Sequence, residues 1–290
     1  MSVTRREVRE SGVVGVVVTP DGEPSGSVVV LSGSGGGVPE GYAARLAESR
    51  LIAFALGYFG APGLPTALVE IPIDGVARGI DWFRDAYLGG GPASVMGSSK
   101  GAELALLLGA HLGDAIDRVV AVAPSSVAWY GLDQTDPASG ERSSWTFAGR
   151  PVPFLPYARD AQPGRGPDGM RLDMCYDLSR YDAAQVDDAT IPVEHCRGAI
   201  LLLSGSDDHM WPSASFAERI VDRLRMNGRE AHVTSVVYPD AGHAFLHRAF
   251  YPNVTADGRP IWDFGGNEQA DAAAAADAWP RIVSFVGARA

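Results

Sequence analysis

The chain has 290 residues, 46% hydrophobic and 20% charged, enough to bury a large core without a disulfide or metal staple. Its formal net charge of −11 argues against nucleic acid or an anionic membrane surface as a partner, since both call for a basic footprint. The opening MSVTRREVRE has no apolar core of signal-peptide length, and no stretch approaches the ~18 apolar residues of a membrane span, so a soluble, cytoplasmic protein is expected.

Short β-branched runs recur along the chain: VVGVVV (13–18), SVVVLSG (27–33), LIAFALGY (51–58), ASVMG (93–97), RVVAVAP (118–124), AILLLSG (199–205) and VTSVVYP (233–239). Several are apolar on both faces, which suits the buried strands of a parallel sheet. Helical patterns alternate with them. PEGYAARLAESR follows the second run, DGVARGIDWFRDAY spaces Val76, Ile80 and Phe83 helically, and KGAELALLLGAHL is apolar nearly all round. SASFAERIVDRLRMNG reads as a helix capped at Ser213 and stopped at Gly228, and the closing NEQADAAAAADAWPRIVSFVGARA as one with a kink or restart at Pro280. The alternation predicts a single doubly wound α/β domain over 1–290, with a mostly parallel sheet. Residues 126–192 break the rhythm. This stretch is rich in Pro, Gly and aromatics and reads as an inserted cap or pocket segment, with Trp129 and Tyr130 as pocket candidates. Cys175 and Cys196 form no CxxC and read as reduced, partly buried residues.

Residues 97–101 read GSSKG, between a strand and an apolar helix. G-x-S-x-G at such a junction is the pattern of a nucleophile elbow, in which small neighbours permit a strained turn exposing Ser99. The pentapeptide alone could be a helix-capping turn, but partners follow in the order this chemistry needs. LLLSGSDDHMW places Asp207 and Asp208 just past one strand, and VVYPDAGHAF places His243 past the next. GSDD favours Asp208 as the residue orienting His243, leaving Asp207 to a turn or to solvent. His209 and Trp211 adjoin that loop and join the pocket candidates. His111, His195, His232 and His247 read as ordinary surface or packing residues. His243 and His247 have zinc-helix spacing, but Ala244 stands where a catalytic glutamate would be, so no metal is expected. The oxyanion donors are expected at the backbone N–H of Lys100 and of Ser34 and Gly35 in GSGGG (33–37), a run that lacks the frame of a nucleotide-binding loop.

GSSKGAELAL, GSGGGVPEGYAARLAE, IPVEHCRGAILLLSGSDDHMWPS, YPDAGH and RPIWDFGGNEQADAAAAADAWPRIVSF together resemble the catalytic domain of acyl-CoA thioesterases and bile acid-CoA:amino acid N-acyltransferases, from about residue 12 onward. The chain is similar, more distantly, to dienelactone hydrolases. The resemblance implies an α/β-hydrolase fold, the triad Ser99, Asp208 and His243, no cofactor, and a small acyl thioester or ester as substrate. Transfer of the acyl group to an amine or hydroxyl, and cleavage of plain esters, stay open as alternatives. Eukaryotic members carry a β-sandwich domain ahead of this one, whereas here the first strand is expected near residue 13. Members that acylate amino acids tend to have cysteine at the elbow, so serine favours hydrolysis. Ser-Lys-Gly also belongs to the resemblance, and Lys100 is the single lysine among 24 basic side chains. It is expected first to anchor the helix by pairing with a carboxylate such as Glu103, and second to meet an anionic part of the substrate.

Overall fold

The structure, a computed structural model, describes residues 2–133, 135–158, 160–246 and 253–288. Eight strands form its main sheet: β1 (Val3–Glu10), β2 (Val13–Pro20), β3 (Gly26–Leu31), β4 (Leu51–Gly57), β5 (Ala93–Ser98), β6 (Ile116–Val122), β7 (Ala199–Gly205) and β8 (Val233–Tyr238). Their spatial order is β1-β2-β4-β3-β5-β6-β7-β8. The β1–β2 and β2–β4 pairs are antiparallel, and every pair from β4 to β8 is parallel. This is the α/β-hydrolase fold. The seven expected strands all lie in the sheet.

β1 is a strand the hydrophobic pattern does not predict. VTRREVRE carries one fully buried side chain, Val8, and its arginines and glutamates stand along the sheet's outer edge. Its place is set by an eight-residue antiparallel register with β2 across the Ser11–Gly12 turn. Edge charges of this kind also discourage pairing with another chain.

The strand residues divide between two cores because successive side chains point to opposite faces. Val119 and Ala121 of β6 join α2 (Ile73–Tyr87), α3 (Lys100–Leu112) and α5 (Ser213–Met226) on one face. Val120 and Val122 join α1 (Glu40–Glu48) and α6 (Glu268–Gly287) on the other. α6 runs through Pro280 as one helix, so of the expected kink or restart it is the restart that does not occur. Pro280 there forfeits one N–H bond, while Ala278, Ile282 and Val286 stay packed on the sheet. α5 has Pro212 at its N-cap and no side-chain cap; Ser213 is engaged elsewhere.

The described residues of 126–192 are largely irregular in secondary structure but fold back into short elements and a core of their own. They hold the three-residue strand Trp145–Phe147 beside Ile71–Pro72, a small hairpin (164–171) and α4 (Ala183–Ala189), which starts with a capping box from Asp182 and Gln185. Val127, Trp129, Tyr130, Leu155, Cys175 and Tyr176 form a third core with Trp211 and Phe216. Both cysteines are free and buried. Among the described residues no helix is long and apolar enough to cross a membrane.

Candidate active site

The elbow follows from crowding. Ser99 follows β5 at the N-cap of α3, with φ 57° and ψ −123°, a conformation costly for any residue with a Cβ and held here because its surroundings over-determine it. Its N–H donates to the Val122 carbonyl at 2.9 Å, and its carbonyl accepts from Ala102 and Glu103, opening α3. A Cβ at Gly97 would stand 2.0 Å from the Gly101 carbonyl oxygen, and one at Gly101 would stand 2.4 Å from that of Ser32. Both small positions of the pentapeptide are therefore steric requirements.

The partners arrive on neighbouring strand ends. Asp208 follows β7 and His243 follows β8, and both are buried. His243 Nδ1 lies 2.9 and 2.8 Å from the two oxygens of Asp208. Asp208 also accepts from the backbone N–H of Met210 (2.9 Å) and Trp211 (3.1 Å) and from the Ser213 hydroxyl (2.6 Å). Ser213 thus serves the carboxylate where a helix cap was expected. The His243 ring meets Trp211 in a T-shaped contact at 5.7 Å and lies nearly parallel to Phe264 at 6.3 Å. The backbone N–H of His243 donates to the Phe264 carbonyl at 2.8 Å.

A segment absent from the site expectations holds this arrangement. Asp208 bridges to Gly265 in backbone pairing, and Gly265 and Gly266 both take φ of 68°. A Cβ at Gly265 would stand 1.8 Å from the Asp207 carbonyl oxygen, and one at Gly242 would stand 2.3 Å from that of Gly265. The Gly242 N–H donates to Asp271 of α6 at 2.8 Å. The tail motif WDFGG is therefore what lets the His243 loop and the Asp208 loop touch. Its sequence signal was the glycine pair following an aromatic, read only as a resemblance.

Asp207 is half-exposed and neither caps its turn nor simply faces solvent. Its carboxylate accepts from the Gly266 N–H at 2.9 Å and meets His209 Nε2 at 3.0 Å. His209 Nδ1 meets Asp263 at 2.8 Å, so the imidazole links the Asp208 loop to the WDFGG segment. Burial works to raise the Asp263 carboxyl, but the Gly265 amide and His209 outweigh it and hold it below the usual carboxylate range. Among the described residues no cluster of His, Cys, Asp and Glu is arranged to hold a metal. His111 stacks on Phe147 at 4.2 Å, His195 and His232 are exposed, and His247 lies outside the described residues.

On the opposite side of Ser99, the loop after β3 comes close. A Cβ at Gly33 would stand 3.5 Å from Ser99 Cβ, and the exposed Ser34–Gly35 turn follows at once, closed by the Gly36 N–H to the Gly33 carbonyl. The Lys100 N–H heads α3, among the first-turn amides a helix leaves without partners. The Lys100 side chain is turned into the interior. It is 2% exposed, and its ammonium lies 2.9 and 2.8 Å from the two oxygens of Glu103, itself 0% exposed. Burial pushes the Lys100 ammonium down, against the pull of Glu103. The anchor reading of Lys100 fits this geometry and the substrate-contact reading does not. Of the pocket candidates, Trp129 is fully enclosed, its indole N–H bonded to Ser125 at 2.8 Å, so it presents no surface to a ligand. Trp211 adjoins His243, and Tyr130 stacks on Tyr176.

The family described as BAAT / Acyl-CoA thioester hydrolase C terminal matches residues 79–289. This chain belongs to it. The chain is 30% identical over 291 residues to acyl-coenzyme A thioesterase 2, mitochondrial, of Mus musculus, covering 98% of this chain and 60% of that protein. It is 28% identical over 302 residues to acyl-coenzyme A amino acid N-acyltransferase 2 of Rattus norvegicus, covering 98% and 65%. The chain thus spans less than two thirds of the length of these relatives. Among solved structures, a dienelactone hydrolase-like promiscuous phosphotriesterase from metagenomic libraries matches with a TM-score of 0.53 at 13% identity, over 99% of this chain and 98% of that one. A Pyrococcus furiosus esterase matches at 0.52 and 15%, over 86% and 87%. These last two likenesses show the fold alone.

Proposed function

We propose that the protein is a serine hydrolase that cleaves an acyl thioester through an acyl-enzyme intermediate. In this reading His243 removes the Ser99 proton as the oxygen attacks the thioester carbonyl. The backbone N–H of Lys100, with those of Ser34 and Gly35, receives the oxyanion. His243 then protonates the departing thiolate and later takes a proton from the water that releases the acid. Asp208 holds the imidazole with Nδ1 protonated, leaving Nε2 for Ser99. The segment 126–192, with Tyr130 and Trp211, would form the acyl side of the site.

The single observation that carries the reading is the strained Ser99 elbow together with the two-oxygen contact of Asp208 on His243. Family membership supplies the thioester. Serine at the elbow favours water over an amine acceptor, because an oxyester is aminolysed less readily than a thioester. The test is thiol release from a panel of acyl-CoA and short acyl-thioester substrates, with Ser99→Ala as control. We expect release that falls by about 10⁴–10⁶-fold in the variant. Ser99-dependent cleavage of plain esters with no thioester turnover would replace this reading with an esterase.

A further inference from the structure

The Glu103 carboxylate is buried beneath the elbow, one helical turn from Ser99, and it does more than neutralise Lys100. Its Oε1 also accepts from the Trp129 backbone N–H at 3.0 Å and from the Trp145 indole N–H at 2.6 Å. Both tryptophans belong to the 126–192 segment and are 0% exposed. The Lys100 ammonium lies 5.4 Å from the centre of the Trp145 ring. Four donor contacts therefore converge on one carboxylate, from the nucleophile's helix and from two points of the inserted segment.

From each tryptophan a run of contacts leads to a different half of the site. The Trp145 ring packs on Tyr58 at 5.9 Å, and the Tyr58 hydroxyl donates to the Ser32 carbonyl at 2.5 Å, directly before Gly33. The Trp129 ring meets Tyr176 edge-on at 4.8 Å, Tyr176 meets Trp211 at 5.5 Å, and Trp211 meets His243 at 5.7 Å. Every member of both runs is buried. An aromatic packed on all sides transmits a displacement, because close-packed interiors have little room to absorb one.

We propose that Glu103 is a positioning residue that braces the oxyanion loop through Trp145 and the general base through Trp129, with Lys100 as the cation that lets a carboxylate occupy this place. The proposal rests on the assignment of Ser99, His243 and the 33–37 loop made above. A carboxylate suits the task because it is acceptor-only, with Oε1 taking both tryptophan N–H groups and the ammonium reaching both oxygens. It tolerates burial only when paired. Lysine suits the partner position because a compact ammonium reaches both oxygens from one turn away, where a planar guanidinium would need more width. The inserted segment is thereby coupled to the reaction as well as to the acyl group.

The test removes the acceptor without leaving a lone buried charge. Lys100→Met with Glu103→Met keeps volume and neutrality but loses both tryptophan bonds, Lys100→Met with Glu103→Gln keeps an acceptor, and Trp145→Phe deletes the indole donor while leaving a smaller aromatic ring at that place. Each variant is first shown to be folded by its melting curve. Turnover of p-nitrophenyl butyrate and of butyryl-CoA, and the labelling rate of Ser99 by a fluorophosphonate, are then compared with the wild type. The folded double methionine variant should lose about 10- to 100-fold in kcat with KM within about threefold, and the glutamine version should recover most of that. Trp145→Phe should lose several-fold in kcat and labelling rate alike.

Folded double methionine and Trp145→Phe variants that turn over within twofold of the wild type would reduce Glu103 to a purely structural role and overturn the proposal. If the double methionine variant does not fold, Trp145→Phe decides by the same criterion. A wild type with no Ser99-dependent turnover of either substrate defeats the functional reading itself, a result separate from Ser99-dependent turnover that ignores Glu103.

Discussion

At the scale of single residues, contact distances decide which side chains the site can spare. Gly101 faces the Ser32 carbonyl at a distance no Cβ can occupy, so Gly101→Ala should destabilise the fold by about 3 kcal/mol and lower activity with it, as a urea titration alongside an esterase assay would show. The two adjacent aspartates separate equally cleanly. Asp208 is buried against His243, so Asp208→Asn should lower kcat by about 10³–10⁴-fold, while Asp207→Asn should stay within about tenfold of the wild type. Equal losses in the two variants would reassign the orienting carboxylate. Breaking the Lys100–Glu103 pair from one side alone should cost about 3–5 kcal/mol, because a buried charge is then left without a partner.

At the scale of elements, the core strands were legible because each is a β-branched run bounded by turns. The helices over 73–87 and 100–112 were legible because their apolar spacing or their apolarity all round is unambiguous. β1 was not, since an edge strand with one buried side chain has almost no hydrophobic pattern, and its order comes from the ladder to β2. Ser213 misled for a related reason. It has the chemistry of a cap, but Asp208 is the acceptor its hydroxyl reaches. Glu194 and Arg223 tie the 193–195 turn to α5 through two hydrogen bonds of 2.5 and 2.6 Å. Those bonds hold the Glu194 carboxyl below its ordinary 4.5, so their stabilisation is present above about pH 4.5 and lost as pH falls through the depressed value. Glu194→Gln should therefore lose about 1 kcal/mol at pH 7, with the gap to wild type closing below pH 4.5 in urea titrations across pH.

At the scale of the whole molecule, a net charge of −11 sets a condition on any CoA substrate. The phosphates of CoA carry charge of the same sign, and salt screens such repulsion over a Debye length of about 8–10 Å. KM for an acyl-CoA should accordingly fall as ionic strength rises from about 10 to 150 mM, while KM for an uncharged N-acetylcysteamine thioester should not move. A KM for acyl-CoA that rises with salt would point to a local basic docking site outweighing the overall charge.

The sequence by itself determined the fold class, the order of the core strands along the chain and the candidate triad. Strand runs, an elbow pentapeptide and loop carboxylates are local patterns, and the topology of a parallel sheet carries local patterns to one edge. Only the tertiary structure decided what surrounds them. The contact of Asp208 with His243, the grip of the WDFGG segment on the Asp208 and His243 loops and the enclosure of Trp129 all depend on groups distant in sequence. So does the place of Glu103, a helix residue whose acceptors' work is done for two tryptophans 26 and 42 positions away. Close packing makes such contacts specific, and no short window of sequence contains both sides of them.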